Sequence, residues 1–146
     1  MKKANNYKFE GFHDITPYVT VNDADKFIEF VKNAFDAEEH GRYLVPDGSR
    51  IMHAVVKIGD SFIELSDGSE QFPAMPTALH LYVPDVDAVY QKALNAGATS
   101  KTGPKDQFYG DRECYVKDPF GNNWFIATHQ KDVSEEDLKE HVTTQD

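Results

Sequence analysis

The chain has 146 residues, and its 15 basic against 25 acidic side chains give a formal net charge of −10 with neutral histidines. This length fits one compact domain or two small ones, and an acidic chain with no cluster of Lys or Arg is a poor partner for nucleic acid, whose binding depends on neutralising phosphates. Apolar runs fall far short of the roughly 20 residues that cross a bilayer, and Met1-Lys2-Lys3 precedes a polar segment rather than a signal-peptide core, so we expect a cytoplasmic protein without a membrane partner.

The first predicted strand starts at Thr16 and alternates, with Val19 and Val21 on one face and Thr16, Tyr18 and Thr20 on the other. An amphipathic helix is predicted over 24–35, behind Asp23, whose carboxylate suits a helix N-terminus. Strands are then predicted over 38–45, 50–58 and 61–66, with a tight Gly59-Asp60 turn before the last. These elements make a βαβββ module.

The same order of elements returns at an offset of 62 residues. A strand begins at Ala78, a helix follows over 86–96 behind Asp85, and Gly97 is typical of the left-handed residue that ends a helix. Strands are predicted over 98–103, 113–117 and 123–128. We therefore predict an α+β fold with modules at 14–67 and 77–130, a connector at 68–76, and a polar tail at 131–146 that contains a short helix.

One face of these strands is apolar, while the other mixes hydroxyl, imidazole and aromatic groups. In the second module, for example, Leu79 and Leu81 oppose His80 and Tyr82. Such a face is too polar for a dry core and too aromatic for a fully exposed surface. It is typical of the wall of a ligand pocket.

Four segments of the repeat resemble the vicinal oxygen chelate superfamily, which includes glyoxalase I, fosfomycin-resistance enzymes, ring-cleaving dioxygenases and bleomycin-binding proteins. They are residues 21–25, 63–65, 83–88 and 118–122. Shorter stretches, among them Leu79-His80-Leu81-Tyr82-Val83, resemble its PhnB-like branch. The resemblance implies two tandem modules that form a curved, cup-like mixed sheet with flanking helices, completed in a homodimer around a cavity lined by the semi-polar strand faces.

The resemblance also places the superfamily's usual metal ligands at Thr16, Glu64, Ala78 and Phe125 in this sequence. Ala78 and Phe125 supply no nitrogen or oxygen donor, so we expect neither that metal site nor another cofactor. A displaced divalent site at Glu64 and His80, helped by His53 or His129, is the alternative. Glu64 is also the candidate catalytic residue, as a metal-free general base, unless it merely pairs with a cation such as Arg112.

The segment 106–112 is predicted to lie beside the cavity, because it combines aromatic rings, a glycine and an Asp/Arg pair. Phe108 and Tyr109 would form an apolar clamp, and Arg112 would bind a carboxylate or phosphonate. The alternative is an ordinary bend in which Asp111 and Arg112 satisfy each other or the backbone. The full set of predicted ligand-binding residues is Thr16, Tyr18, His53, Glu64, His80, Tyr82, Phe108, Tyr109, Arg112 and Phe125.

The leading hypothesis is a homodimeric protein that binds a small molecule and lacks the usual metal. The alternative is a lyase, isomerase or dioxygenase of the same superfamily, which uses Glu64 with His80 around a displaced ion or Glu64 alone as a base. A third hypothesis is an interaction protein with a collapsed cavity, whose acidic tail makes the contacts. Cys114, the single cysteine, excludes an internal disulfide and is predicted to be a buried strand residue.

Overall fold

The computed structural model describes residues 1–144 and divides into two compact units, one from Met1 to Met75 and one from Pro76 onward. The first contains β1 (Tyr18–Val21), α1 (Ala24–Phe35), β2 (Glu38–Leu44), β3 (Ile51–Ile58) and β4 (Ser61–Asp67). The second contains β5 (Ala78–Tyr82), α2 (Val86–Asn95), β6 (Thr99–Asp106), β7 (Asp111–Lys117), β8 (Asn123–His129) and α3 (Glu135–Thr144). The fold is α+β with two tandem βαβββ modules, and none of the helices within residues 1–144 has the length and apolar character to cross a membrane.

The first unit is built on a mixed sheet with strand order β1-β4-β3-β2. β1 runs parallel to β4, and the other neighbours are antiparallel. Phe27, Ile28 and Val31 of α1 are completely buried, as are Val19 and Leu65 on the strands. Because strand side chains alternate, the helix covers one face of the sheet and leaves the opposite face open for polar and aromatic groups.

The second unit repeats this arrangement with the strand order β5-β8-β7-β6. Trp124 and Ile126 of β8 and Cys114 of β7 are buried on the helix side of the sheet. The indole Nε1 of Trp124 donates to Oδ2 of Asp118, a buried carboxylate in the turn before β8. The indole N–H of this buried tryptophan therefore has a hydrogen-bond acceptor, which burial of a tryptophan requires.

In each unit the last strand along the chain provides a side-chain acceptor for the first N–H of the helix. The backbone N–H of Ala24 donates to Oδ1 of Asp67 at 2.7 Å, and the N–H of Ile51 donates to Oδ2 of the same carboxylate at 2.7 Å. In the second unit the N–H of Val86 donates to Oγ1 of Thr128 at 2.9 Å. Helix and sheet are thus joined by a polar contact at equivalent places as well as by the core.

Several element boundaries differ from those predicted. β1 starts at Tyr18 rather than Thr16, because Pro17 has no N–H to donate and only its carbonyl joins the sheet, accepting from the N–H of Glu64 at 3.0 Å. β6 extends to Asp106 and β7 begins at Asp111. The segment 106–112 therefore contains two strand ends and a tight turn over 107–110, where a longer loop was predicted.

Most of the C-terminal tail is helical. α3 follows Ser134, whose hydroxyl accepts from the N–H of Asp137 at 3.1 Å. The ring of His141 stacks on Phe108 at a centroid distance of 3.9 Å. Of the tail predicted for residues 131–146, residues 145 and 146 lie outside the described residues.

Candidate functional site

The open face of the first sheet borders a cavity of about 510 Å³. Val55 of β3 lies opposite Glu64 of β4, and His53 lies opposite Tyr43 of β2, so these side chains share the face that α1 does not cover. The complete lining consists of Phe9, Glu10, Phe12, His40, Gly41, Tyr43, His53, Val55, Phe62 and Glu64. Tyr18 lines a neighbouring depression of about 360 Å³, together with Thr20, Ser66 and Phe72.

Part of the cavity wall comes from the segment before β1. Phe12 stacks on Phe62 with ring centroids 4.3 Å apart, and Phe9 lies 6.2 Å from Phe12. Gly11 between them has a φ of +85°, and a Cβ at this position would lie 3.2 Å from the Phe62 ring. The close approach of backbone and ring therefore depends on glycine.

His53 and Glu64 form a hydrogen-bonded pair on the open face of the first sheet. Nε2 of His53 lies 3.1 Å from Oε1 of Glu64, and each side chain is about one-third exposed, at 31% and 32%. The rings of Tyr18 and Tyr43 lie 6.1 Å and 6.3 Å from the imidazole. An imidazole bonded to a carboxylate beside a cavity can orient a ligand or exchange a proton with it.

The open face of the second sheet carries aromatic rings on three neighbouring strands, β5, β8 and β7. Phe125 of β8 lies between His80 of β5 and Tyr115 of β7 in the strand registers. The Phe125 and Tyr115 rings stack at 4.7 Å, and the His80 and Tyr82 rings are also 4.7 Å apart. His80 and Phe125 therefore lie on the same face of the sheet.

Beside these rings, His80, Asp111 and Glu113 form a three-residue cluster. Each offers a nitrogen or oxygen atom, and these atoms lie within 4.8 Å of one another. Nε2 of His80 is 3.9 Å from Oε2 of Glu113. Asp111 is only 3% exposed, whereas His80 is open to solvent.

Two tyrosines hold the carboxylates of this cluster. The hydroxyl of Tyr82 donates to Oδ2 of Asp111 at 2.9 Å, and this bond raises the pKa of Tyr82. The hydroxyl of Tyr109 donates to Oε2 of Glu113 at 2.7 Å; burial and then this bond raise the pKa of Tyr109. Both phenols are therefore fixed as hydrogen-bond donors at neutral pH.

The imidazole of His129 contacts two carboxylates, one at each ring nitrogen. Its Nδ1 lies 2.6 Å from Oδ1 of Asp111, and its Nε2 lies 2.7 Å from Oδ1 of Asp132. The hydrogen bond with Asp132, followed by that with Asp111, raises the pKa of His129. The doubly protonated ring, which donates from both nitrogens, is the form that this arrangement favours.

Arg112 points away from the cluster because it alternates with Asp111 and Glu113 along β7. Its Nε donates to Asp87 at 2.8 Å and its Nη1 to Asp106 at 3.2 Å, and these carboxylates raise its pKa. Asp111, which the alternative hypothesis of an ordinary bend pairs with Arg112 or the backbone, accepts from Tyr82 and His129. An anionic ligand at Arg112 would have to compete with both of its carboxylates.

The four positions of the usual superfamily metal do not fit an ion. Ala78 has no donor atom, and the phenyl ring of Phe125 is stacked on Tyr115. Thr16 precedes β1, and Glu64 is bonded to His53. One carboxylate and one hydroxyl are too few donors for the site that the resemblance points to.

Sequence reasoning missed Asp111 and Glu113 as members of a site, and Phe9 and Phe12 as cavity wall. The sequence pattern predicts a strand that starts at Glu113, which leaves Asp111 in the segment before it. Starting the alternation two residues earlier would have placed Asp111, Glu113 and Tyr115 on one face. The segment containing Phe9 and Phe12 shows neither helical nor strand periodicity, so nothing in its pattern indicated where it packs.

Comparisons with known proteins agree with this fold. A model of the Glyoxalase/Bleomycin resistance protein/Dioxygenase superfamily matches residues 11–126. The uncharacterized protein Rv0887c of Mycobacterium tuberculosis is 37% identical over 142 residues, covering 90% of this chain and 83% of the relative.

Two solved structures are similar in fold. TioX from Micromonospora sp. ML1 superimposes with a TM-score of 0.69 at 20% identity, covering 80% of this chain and 98% of TioX. A PhnB protein from Bacillus cereus, described as a putative 3-demethylubiquinone-9 3-methyltransferase, has a TM-score of 0.64 at 16% identity. The match covers 80% of this chain and 99% of the Bacillus cereus chain. At these identities the likeness concerns the fold alone.

Proposed function

Because the chain belongs to the Glyoxalase/Bleomycin resistance protein/Dioxygenase superfamily, we propose that it is a binding protein that holds a small molecule in the first unit's cavity without the usual metal. We place it in the PhnB-like branch, a placement supported by short sequence resemblances and by the fold of the Bacillus cereus protein. Since one fold serves many activities, the cavity rather than the family supports a binding function.

The observation that carries the proposal is the size and lining of the cavity. Its volume of about 510 Å³ lies within the range of roughly 300–1,000 Å³ that small-molecule sites occupy. Four aromatic rings supply apolar contact, and the His53–Glu64 pair supplies polar groups in fixed positions. Ligand sites combine these two features, an apolar lining and a few oriented polar groups.

The same lining indicates a class of ligand. Two carboxylates, Glu10 and Glu64, face a cavity whose other walls are largely aromatic. Aromatic faces attract cations and planar groups, and carboxylates accept hydrogen bonds or pair with positive charge. A planar molecule with a positive charge or with N–H donors suits this cavity better than an anion.

Dye titration with a cavity-filling variant tests the proposal. Berberine, a planar cation, should bind the wild type saturably at one site per chain, and the anionic dye anilinonaphthalene sulfonate should bind less tightly. Val55→Phe inserts bulk into the cavity and should weaken berberine binding at least about tenfold, or about 1.4 kcal/mol. Met52→Phe, at an exposed position of the same strand, is the matched control and should leave binding unchanged. Equal affinity of the wild type and Val55→Phe, or a lack of saturable binding, would contradict the proposal.

A second candidate function is catalysis at the same cavity. It is favoured by the 3.1 Å contact between His53 and Glu64, since such a pair can remove a proton from a carbon next to a carbonyl group. In this role Glu64 is the base and His53 orients it.

Hydrogen–deuterium exchange distinguishes catalysis from binding. A panel of small ketones and 2-oxoaldehydes is incubated with the protein in deuterium oxide, and exchange at the carbon next to the carbonyl is followed by NMR. Catalysis predicts exchange that is lost in Glu64→Gln. If the wild type exchanges no faster than Glu64→Gln, the binding function stands alone.

The homodimer expected from the resemblance is part of this proposal. Among residues 1–144, the outer strands of each sheet pair with another strand on one side only, which leaves backbone groups that a second copy can cover. Light scattering coupled to size exclusion should then give twice the 16.5 kDa of one chain. A monomeric mass across the accessible concentrations would contradict the dimer.

A further inference from the structure

We propose that His80, Asp111 and Glu113 bind one divalent transition-metal ion on the open face of the second unit. This inference is independent of the ligand-binding function, because the first unit's cavity shares none of these residues. It also differs from the superfamily's usual site, whose positions in this unit are Ala78 and Phe125.

The geometry requires only small movements to reach coordination. A tetrahedral ion with bonds of about 2.1 Å holds its ligand atoms roughly 3.4 Å apart. The three candidate ligand atoms lie within 4.8 Å of one another, and the His80–Glu113 pair is at 3.9 Å. Asp111 is fixed by burial, whereas His80 is exposed. Rotation of one imidazole and one carboxylate therefore closes the site.

The charges around the cluster favour a cation. Asp111 and Glu113 are two residues apart on β7, so both carboxylates lie on the same face of the strand. The phenols that contact them are neutral donors, and the imidazole of His129 beside Asp111 also contacts Asp132. Since neighbouring carboxylates in a partly buried place repel each other, a divalent ion would lower the energy of this face.

The surrounding hydrogen bonds are compatible with an ion. An ionised carboxylate has about four lone-pair sites. Asp111 can therefore keep its contacts with Tyr82 and His129 and still coordinate a metal, and Glu113 can keep its contact with Tyr109. Tyr82 and Tyr109 then orient the two ligands, as outer hydrogen bonds do in metal sites. The His53–Glu64 pair in the first unit offers one imidazole and one carboxylate, and so provides a natural comparison.

The donor set selects the kind of ion. One imidazole nitrogen with two carboxylates suits Mn²⁺, Fe²⁺, Co²⁺ or Zn²⁺, whereas Mg²⁺ and Ca²⁺ prefer oxygen donors throughout. Three protein ligands leave at least one coordination position open. That position would face the solvent side of the cluster, where His80 and Tyr82 are exposed.

Metal titration of untagged, chelator-treated protein tests the site. Calorimetry with Zn²⁺ and with Mn²⁺ should give one ion per chain, and Mg²⁺ in excess should not displace it. His80→Gln and Glu113→Gln should each weaken binding by at least about tenfold, and Tyr109→Phe by about tenfold through loss of orientation. His53→Gln and Glu64→Gln, the matched changes in the first unit, should leave metal affinity unchanged.

A second measurement separates loss of the site from loss of the fold. His80 is exposed, so His80→Gln should keep the metal-free melting temperature of the wild type. Saturating Zn²⁺ should raise the melting temperature of the wild type but not of this variant, because only the wild type gains binding energy in the folded state. The proposal is overturned if no ion binds, if His80→Gln binds as tightly as the wild type, or if Glu64→Gln loses the ion.

Discussion

Nδ1 of His129 lies 2.6 Å from Oδ1 of Asp111, at the edge of the three-residue cluster. Asp132 and then Asp111 raise the pKa of this imidazole above its ordinary value of 6.5. A group whose pKa is higher in the folded than in the unfolded state stabilises the fold fully below its unfolded pKa. That contribution disappears as the pH rises through the folded pKa.

His129→Gln should therefore reduce stability at low pH and matter less at high pH. We expect the melting temperature of the variant to lie below that of the wild type at about pH 5.5, and the gap to narrow toward about pH 8.5. Calorimetric scans of both proteins across this range measure the gap directly. A gap that is constant or widens with pH would show that the two ion pairs of His129 do not stabilise the fold.

Gly110→Ala should destabilise the second unit strongly. Gly110 has a φ of +97°, and a Cβ there would overlap the backbone carbonyl oxygen of Lys131. Its own carbonyl accepts from the N–H groups of Gln130 and Lys131, so the turn cannot shift without losing both bonds. We expect a loss of about 3 kcal/mol, combining left-handed strain with the overlap.

Gly121→Ala is the matched control for Gly110→Ala. Gly121 has a nearly equal φ of +91°, and a Cβ there would meet nothing within 4 Å. This variant should lose only the roughly 1 kcal/mol of left-handed strain. Urea denaturation gives both values, and equal losses in the two variants would refute the overlap as a cause.

Asp118→Ala should remove a buried acceptor that serves four donors. Oδ1 accepts from the N–H groups of Phe120 and Asn122, and Oδ2 accepts from the side chains of Asn122 and Trp124. Removing the carboxylate that all these donors share should cost about 3 kcal/mol or more of unfolding free energy. Asp60→Ala, in the exposed turn of the first unit, is the control and should change it by less than about 0.5 kcal/mol. A small effect at Asp118 would mean that water replaces the carboxylate.

Cys114 should be unreactive until the second unit opens. The thiol is 1% exposed, and burial raises its pKa to about 11. At about pH 8 a thiolate fraction near 0.1% would remain even without the steric barrier. Reaction with Ellman's reagent should therefore follow the unfolding rate and accelerate in Asp118→Ala. Reaction of the folded protein at the rate of a free thiol would contradict this burial.

The repeated module could be predicted from the sequence because its signals are local. Alternation marks the strands, amphipathic spacing marks α1 and α2, and Asp23 and Asp85 mark their starts. The two-residue Gly59-Asp60 turn even sets the register of its hairpin, since it pairs Ile58 with Ser61. Counting back along that hairpin places His53 near Glu64, so this contact was accessible from the sequence.

The three-residue cluster could not be found in the same way. His80 reaches Glu113 across β8, which separates β5 from β7 in the sheet. The parallel register of β5 with β8 is not set by a short turn, and so no local pattern encodes it. Which side chains meet across such a sheet follows from packing of the whole unit, although each strand face could be assigned from alternation alone.

The acceptors that Asp67 and Thr128 provide for α1 and α2 have a consequence for the order of events during synthesis. Asp67 lies 43 residues beyond Ala24, and Thr128 lies 42 residues beyond Val86. When each helix leaves the ribosome, the native acceptor of its first N–H group has not yet been synthesised. Almost the entire module must be translated before that hydrogen bond can form. Each module is therefore expected to mature as a whole on the growing chain, with the nascent helix unfinished until its final strand arrives.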